Sequence, residues 1–142
     1  MAKLNPYLTF KDNAEEAFNF YKSVFGGEFV MIMRGGETPM GDKLPANEKN
    51  RIMHVSLPIG KNSILMGSDS FESMGHPFTA GNNFSLAVGA ESKEDADKLY
   101  KALSEGGNAI MPPADQFWGD YFGMLIDKFG IQWMVSYTPP KQ

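Results

Sequence analysis

The sequence predicts an α+β fold built from two βαβββ modules, and three observations carry that prediction. The first is an internal repeat: Ala17-x-x-x-Tyr21-Lys22 leads into Gly26-Gly27 and Met31, and Ala96-x-x-x-Tyr100-Lys101 leads into Gly106-Gly107 and Met111. The second is that each copy opens with a short apolar run, Tyr7-Leu8-Thr9-Phe10 and Phe84-Ser85-Leu86-Ala87-Val88. The third is the order of periodicities after each run: one stretch at helical spacing, then three short strand-like stretches. The expected organisation is a single domain over residues 1–142, with one module at about 3–68, a loop at 69–82 and the other module at about 83–138. The seam between two such modules is the natural place for a ligand.

The elements follow in order. Residues 5–10 read as a strand. Asn13 stands where it can cap a helix, with Glu16 completing a capping box. Ala14, Ala17, Phe18, Tyr21 and Val24 then fall on one helical face. Gly26-Gly27 ends that helix, and residues 28–33 resume as a strand. Residues 35–50, rich in Gly, Pro, Asn and charge, read as a long mobile loop. Residues 51–59 and 63–66 read as paired strands turning at Gly60-Lys61-Asn62. Residues 67–82 form a second loop, longer than an ordinary connection. The pattern then restarts with a strand at 84–88. Ser92 caps a helix whose buried face is Ala96, Leu99, Tyr100 and Leu103. Residues 109–111 form a short strand, and Pro112-Pro113 open a loop through Asp120. Residues 121–127 and 131–137 are the closing strands.

Composition narrows the function classes. The 142 residues carry a net charge of -4 and no block of like charge, which argues against nucleic acid as the main partner. There is no cysteine, so disulfides and thiolate chemistry are excluded. No apolar run approaches membrane-spanning length, and the N-terminus lacks a signal-like apolar core, so the expected compartment is cytoplasmic. No Gly-x-Ser-x-Gly elbow and no phosphate-cradling glycine loop occurs. Ten Met and 13% aromatic residues suit either core filling or an apolar ligand cavity.

Several segments resemble a known family. Asn5-Pro6-Tyr7-Leu8-Thr9-Phe10, Ala14-Glu15-Glu16-Ala17, Phe20-Tyr21-x-x-Val24-Phe25-Gly26-Gly27 and Phe117-Trp118-Gly119-Asp120, followed by Gly123 and Asp127-Lys128-Phe129-Gly130-Ile131-Gln132-Trp133-Met134, are similar to the PhnB-like branch of the glyoxalase/vicinal oxygen chelate superfamily. The resemblance covers nearly the whole chain. It implies paired βαβββ modules, each a curved sheet, around a cavity, and it implies a homodimer. The ubiquinone-pathway methyltransferase activity linked with this branch is a weak guide, because no glycine-rich strand-to-helix turn is present.

Metal-dependent members of the superfamily place one ligand on each of four inward strands, usually His or Glu. Carried over on the helix and turn landmarks, those positions fall at Pro6, Met66, Asn83 and Met134. Pro offers no donor atom, Met is soft and Asn is poor alone, so a hard cation has almost nothing to hold it. The neighbouring positions Asn5, Tyr7, Leu65, Gly67, Asn82, Phe84, Trp133 and Val135 offer no better set. The expectation is a chelate fold with no metal and no cofactor.

The resemblance then leaves a concave surface whose candidate ligand-binding residues are Tyr7, Met66, Phe84, Trp133 and Met134. Ser68 and Asp69 could present a hydroxyl and a carboxylate at its mouth, or simply make a turn. Trp118, beside Phe117 in a loop, needs something to pack against. His54 is the one weak catalytic candidate; alternation puts it on the face of Ile52 and Ser56, and no carboxylate partner is visible. The expected function is metal-independent binding of a small apolar or aromatic molecule. The competing expectation is a metal-dependent lyase or dioxygenase-type enzyme with ligands such as Asp69, Asp120 or His54. A purely structural role ranks third.

Overall fold

The computed structural model describes residues 2–140 and divides into two compact units, one up to Ala80 and one from Gly81 onward. Each unit is a four-stranded open sheet with one long helix, in βαβββ order.

In the first unit, β1 (Tyr7–Phe10), α1 (Ala14–Phe25), β2 (Met31–Arg34), β3 (Ile52–Ile59) and β4 (Ser63–Asp69) give the sheet order β1-β4-β3-β2. β1 runs parallel to β4, and the other pairs are antiparallel. Helix α1 buries Ala14, Ala17, Phe18 and Tyr21 against β3 and β4. Burial of each such aromatic side chain stabilises the fold by about 1.5–3 kcal/mol. The approach is close enough that a Cβ on Gly67 would stand 2.7 Å from the Phe18 ring and from the Leu8 carbonyl. Glycine at 67 therefore sets the distance between helix and sheet.

The N-terminus of α1 departs from the sequence expectation. Asn13 occupies the cap position but makes no side-chain cap hydrogen bond. The carboxylate of Asp69, at the end of β4, does that work: Oδ1 accepts from the Ala14 N–H and Oδ2 accepts from the Ile52 N–H, both at 2.8 Å. Ser68 and Asp69 accordingly belong to β4 and pair with Thr9 and Phe10, not to a turn.

Residues 35–50 also differ from expectation. They form three short 3-10 turns, Gly35–Glu37, Gly41–Lys43 and Ala46–Glu48. Leu44, Glu48 and Phe71 are buried there. Glu48 accepts from both the hydroxyl and the backbone N–H of Ser73, which fastens this segment to the next one.

The second unit repeats the plan with β5 (Leu86–Gly89), α2 (Lys93–Ser104), β6 (Asn108–Asp115), β7 (Tyr121–Ile126) and β8 (Gln132–Tyr137), in the order β5-β8-β7-β6. Ser92 caps α2 as expected, its hydroxyl accepting from the Asp95 N–H at 3.0 Å. Strand β6 is longer than the sequence suggested and contains Pro112-Pro113. It is an edge strand, where a missing N–H is tolerated, and its pairing jumps from Met111↔Met124 to Ala114↔Phe122. The extra residue is a bulge. It lies against Gly123, where a Cβ would stand 2.9 Å from the Met111 carbonyl.

Burial pushes the Asp69 carboxyl above its ordinary value, against the two N–H bonds and Arg51, which pull it down. A carboxyl raised on folding binds its proton more readily in the folded chain, so this group lowers stability as pH rises through the raised value. Replacing Asp69 by Asn leaves one buried N–H facing an amide group. Urea denaturation of Asp69→Asn should show a loss of about 1–3 kcal/mol at neutral pH, where the wild-type carboxylate accepts from both N–H groups. An unchanged midpoint would show that the two N–H groups find other acceptors.

Candidate functional site

Side chains alternate along a strand, so each sheet has one face under its helix and one away from it. In the first unit Leu65, Gly67 and Asp69 of β4 face α1. The opposite face carries a row across all four strands: Tyr7 pairs with Met66, Met66 with Ser56, and Ser56 with Met31. The pairs Thr9–Ser68 and Met33–His54 lie beside that row. This face combines three thioethers, a phenol, three aliphatic hydroxyls and one imidazole.

Two contacts organise it. His54 Nε2 lies 2.7 Å from Ser56 Oγ, supplying the partner that the sequence did not reveal. The Tyr7 and His54 rings stand 5.7 Å apart, tilted by 41°. Ser56 is only 6% exposed, while His54 is half-buried.

The corresponding row in the second unit is Ala87–Met134–Met124–Met111, next to Gly89–Ser136–Phe122–Ala114. Met31 and Met111, matched by the sequence repeat, thus occupy matching ends of the two rows. Trp118 packs edge-on against Phe122 with centroids 5.6 Å apart and against Phe117 at 5.0 Å. Its indole N–H donates to Asp120 Oδ2 at 3.2 Å. Phe117 itself is 97% exposed.

The candidate residues therefore divide. Tyr7, Met66 and Ser68 share one face of the first sheet with His54. Met134 lies on the equivalent face of the second sheet, and Trp118 reaches that face through Phe122. Trp133 is placed otherwise. It is 3% exposed on the opposite side of β8 from Met134, and its Nε1 donates to Asp127 Oδ2 at 2.8 Å. Asp127 Oδ1 meanwhile accepts from the N–H groups of Phe129 and Ile131 at 2.8 and 3.1 Å. The Asp127-Lys128-Phe129-Gly130-Ile131-Gln132-Trp133 segment is thus a turn locked to its own tryptophan. Phe84 precedes β5, is exposed, and gives its carbonyl to Gln132 Nε2. Asp69 turns away from the Ser68 face and toward α1.

The structure also moves two of the four positions carried over for metal ligands. Pro6 and Asn83 lie ahead of β1 and β5, and the strand residues opposite Met66 and Met134 are Tyr7 and Ala87. The revised set gains one phenol and no carboxylate. Among the described residues no three His, Cys, Asp or Glu side chains cluster to hold an ion, and both oxygens of Asp69 are occupied by backbone N–H groups. These donors do not fit the divalent cation of the metal-dependent relatives. Among the described residues no helix is long and apolar enough to cross a membrane.

Comparisons with known proteins place this geometry. The sequence model of the family described as 3-demethylubiquinone-9 3-methyltransferase matches residues 2–136. The crystal structure of protein PA1353 from Pseudomonas aeruginosa is 36% identical, with a TM-score of 0.85 over 97% of this chain and 98% of that one. A putative 3-demethylubiquinone-9 3-methyltransferase, PhnB protein, from Bacillus cereus is 29% identical, with a TM-score of 0.75 over 96% and 100%. A glyoxalase/bleomycin resistance protein/dioxygenase family enzyme from Burkholderia phytofirmans PsJN, 22% identical, shares the fold with a TM-score of 0.64 over 94% of this chain and 97% of that one.

The two tryptophans differ sharply in exposure, 50% for Trp118 and 3% for Trp133. Acrylamide should quench the emission of the Trp133→Phe variant strongly and that of Trp118→Phe weakly. Equal quenching of the two variants would contradict the burial of Trp133.

Proposed function

The chain belongs to the 3-demethylubiquinone-9 3-methyltransferase family, the PhnB-like branch of the glyoxalase fold, and on that footing we propose that it binds a small apolar or aromatic molecule without help from a metal ion. The observation that carries this reading is the row Tyr7–Met66–Ser56–Met31 on the helix-free face of the first sheet. Such a face suits a planar apolar ligand. Thioethers adapt to irregular shapes and contact aromatic rings favourably, and the phenol of Tyr7 adds a stacking surface with a polar tip. Met66 and Ser68 are the neighbouring contacts. On the second unit, Met134 and Trp118 are the corresponding candidates.

Methyl transfer is not part of the proposal. The β1-to-α1 connection is Lys11-Asp12-Asn13 and the β5-to-α2 connection is Ala90-Glu91-Ser92. Neither contains a glycine-rich turn of the kind that brings backbone N–H groups against a nucleotide-like cofactor.

Isothermal titration calorimetry with naphthalene and indole as probes tests the reading. Binding should be unchanged by EDTA, and Tyr7→Ala should weaken it about tenfold, or about 1.4 kcal/mol. Binding that disappears with EDTA and returns with a divalent cation would replace this reading with the metal-dependent one.

A further inference from the structure

Among the described residues, the His54–Ser56 pair is a hydrogen-bonded polar pair on the helix-free face of the first sheet. Its flanking residues on that face are Tyr7, Met31, Met33 and Met66, with the hydroxyls of Thr9 and Ser68 beside them. Nothing in the packing of the sheet requires it: the equivalent positions of the second unit are Phe122 and Met124, which pair with Ser136 and Met134 as Ser56 pairs with Met66. The repeat therefore tolerates two apolar residues where the first unit keeps an imidazole and a hydroxyl.

The hydrogen-bond inventory shows what the pair offers. A neutral imidazole has one donor and one acceptor; a serine hydroxyl has one donor and two acceptor lone pairs. The bond between Nε2 and Oγ, at 2.7 Å, consumes one donor and one acceptor. One donor and two acceptor sites remain whichever way the shared proton lies. Ser56 is nearly covered and His54 is half-buried, so the ring is the part a ligand reaches, with Ser56 fixing its orientation. If Ser56 donates to Nε2, the outer ring nitrogen is a donor; if Nε2 donates to Ser56, the outer nitrogen is an acceptor. A hydroxyl group on the ligand both donates and accepts, so it satisfies the ring in either state. A group that only donates or only accepts does not.

We propose that His54 and Ser56 form a polar anchor for the hydroxyl of a small aromatic molecule, with a phenol as the simplest member of the class. This deepens the binding reading given above and rests on it. Tyr7, its ring 5.7 Å from that of His54, flanks the aromatic body while the imidazole takes the hydroxyl.

The test compares p-cresol with p-xylene, which match in shape and differ by a hydroxyl for a methyl. Affinities are measured by NMR titration on wild type, His54→Leu and Ser56→Ala. Wild type should bind p-cresol at least tenfold tighter than p-xylene, against the stronger tendency of p-xylene to leave water. Both substitutions should reduce that ratio below threefold. The imidazole carbon-bound proton signals of His54 in wild type, which need no variant to fold, should shift with p-cresol and not with p-xylene. Equal affinities in wild type, a ratio that survives both substitutions, or an unmoved His54 signal would overturn the anchor while leaving apolar binding intact. Failure of both compounds to bind would overturn the binding reading, and the anchor with it.

Discussion

One buried carboxylate holds the first unit in register. Asp69 sits at the end of β4 and accepts from the first turn of α1 and from the start of β3. It therefore ties the start of α1 to both strands of the β3–β4 hairpin. A helix N-terminus needs acceptors for its free N–H groups, and here the acceptor arrives from 55 residues away. Once β4 ends at that point, the alternation of β4 is fixed: Leu65 and Gly67 must go under the helix, and Met66 and Ser68 must go to the other face. Asp127 performs a related task in the second unit, where its carboxylate closes the turn between β7 and β8 and holds the Trp133 indole.

These two acids, buried and next to apolar strands, have the outward look of catalytic groups. Their oxygens are instead committed to N–H donors. What chemistry remains lies on the faces away from the helices, and there the two halves of the repeat have diverged. The first keeps His54, Ser56 and Tyr7 among methionines. The second is apolar through Phe122, Met124 and Met134, with Trp118 folded onto Phe122. The duplication preserved strand order and register, while the side chains on these faces changed character.

Much of this was legible in the sequence. The repeat gave two βαβββ units, and apolar spacing identified the buried faces of both helices. The Ser92 cap was readable because its contact is local. The Asn13 cap was misread because the true acceptor is remote in sequence. Pro112-Pro113 suggested a loop, since prolines usually interrupt pairing, but a bulge on an edge strand accommodates them. Residues 35–50 had the composition of a mobile loop, yet Leu44, Glu48 and Phe71 pack there. Trp133 and Met134 were both assigned to the ligand surface, although adjacent strand residues cannot share a face. His54 looked isolated because no carboxylate stands near it in sequence; the strand alternation already puts Ser56 on its face, and the bond goes to that hydroxyl.

The prolines of β6 have an effect beyond their own strand. Neither Pro112 nor Pro113 has an N–H to donate, and both lie where the pairing of β6 jumps from Met111 to Ala114. A bulge and two adjacent residues without donors leave this edge strand with an irregular ladder, on which a foreign strand could not pair continuously. The sheet is thereby insulated from runaway cross-molecule polymerisation along this border by two residues whose sequence signature reads as mere punctuation.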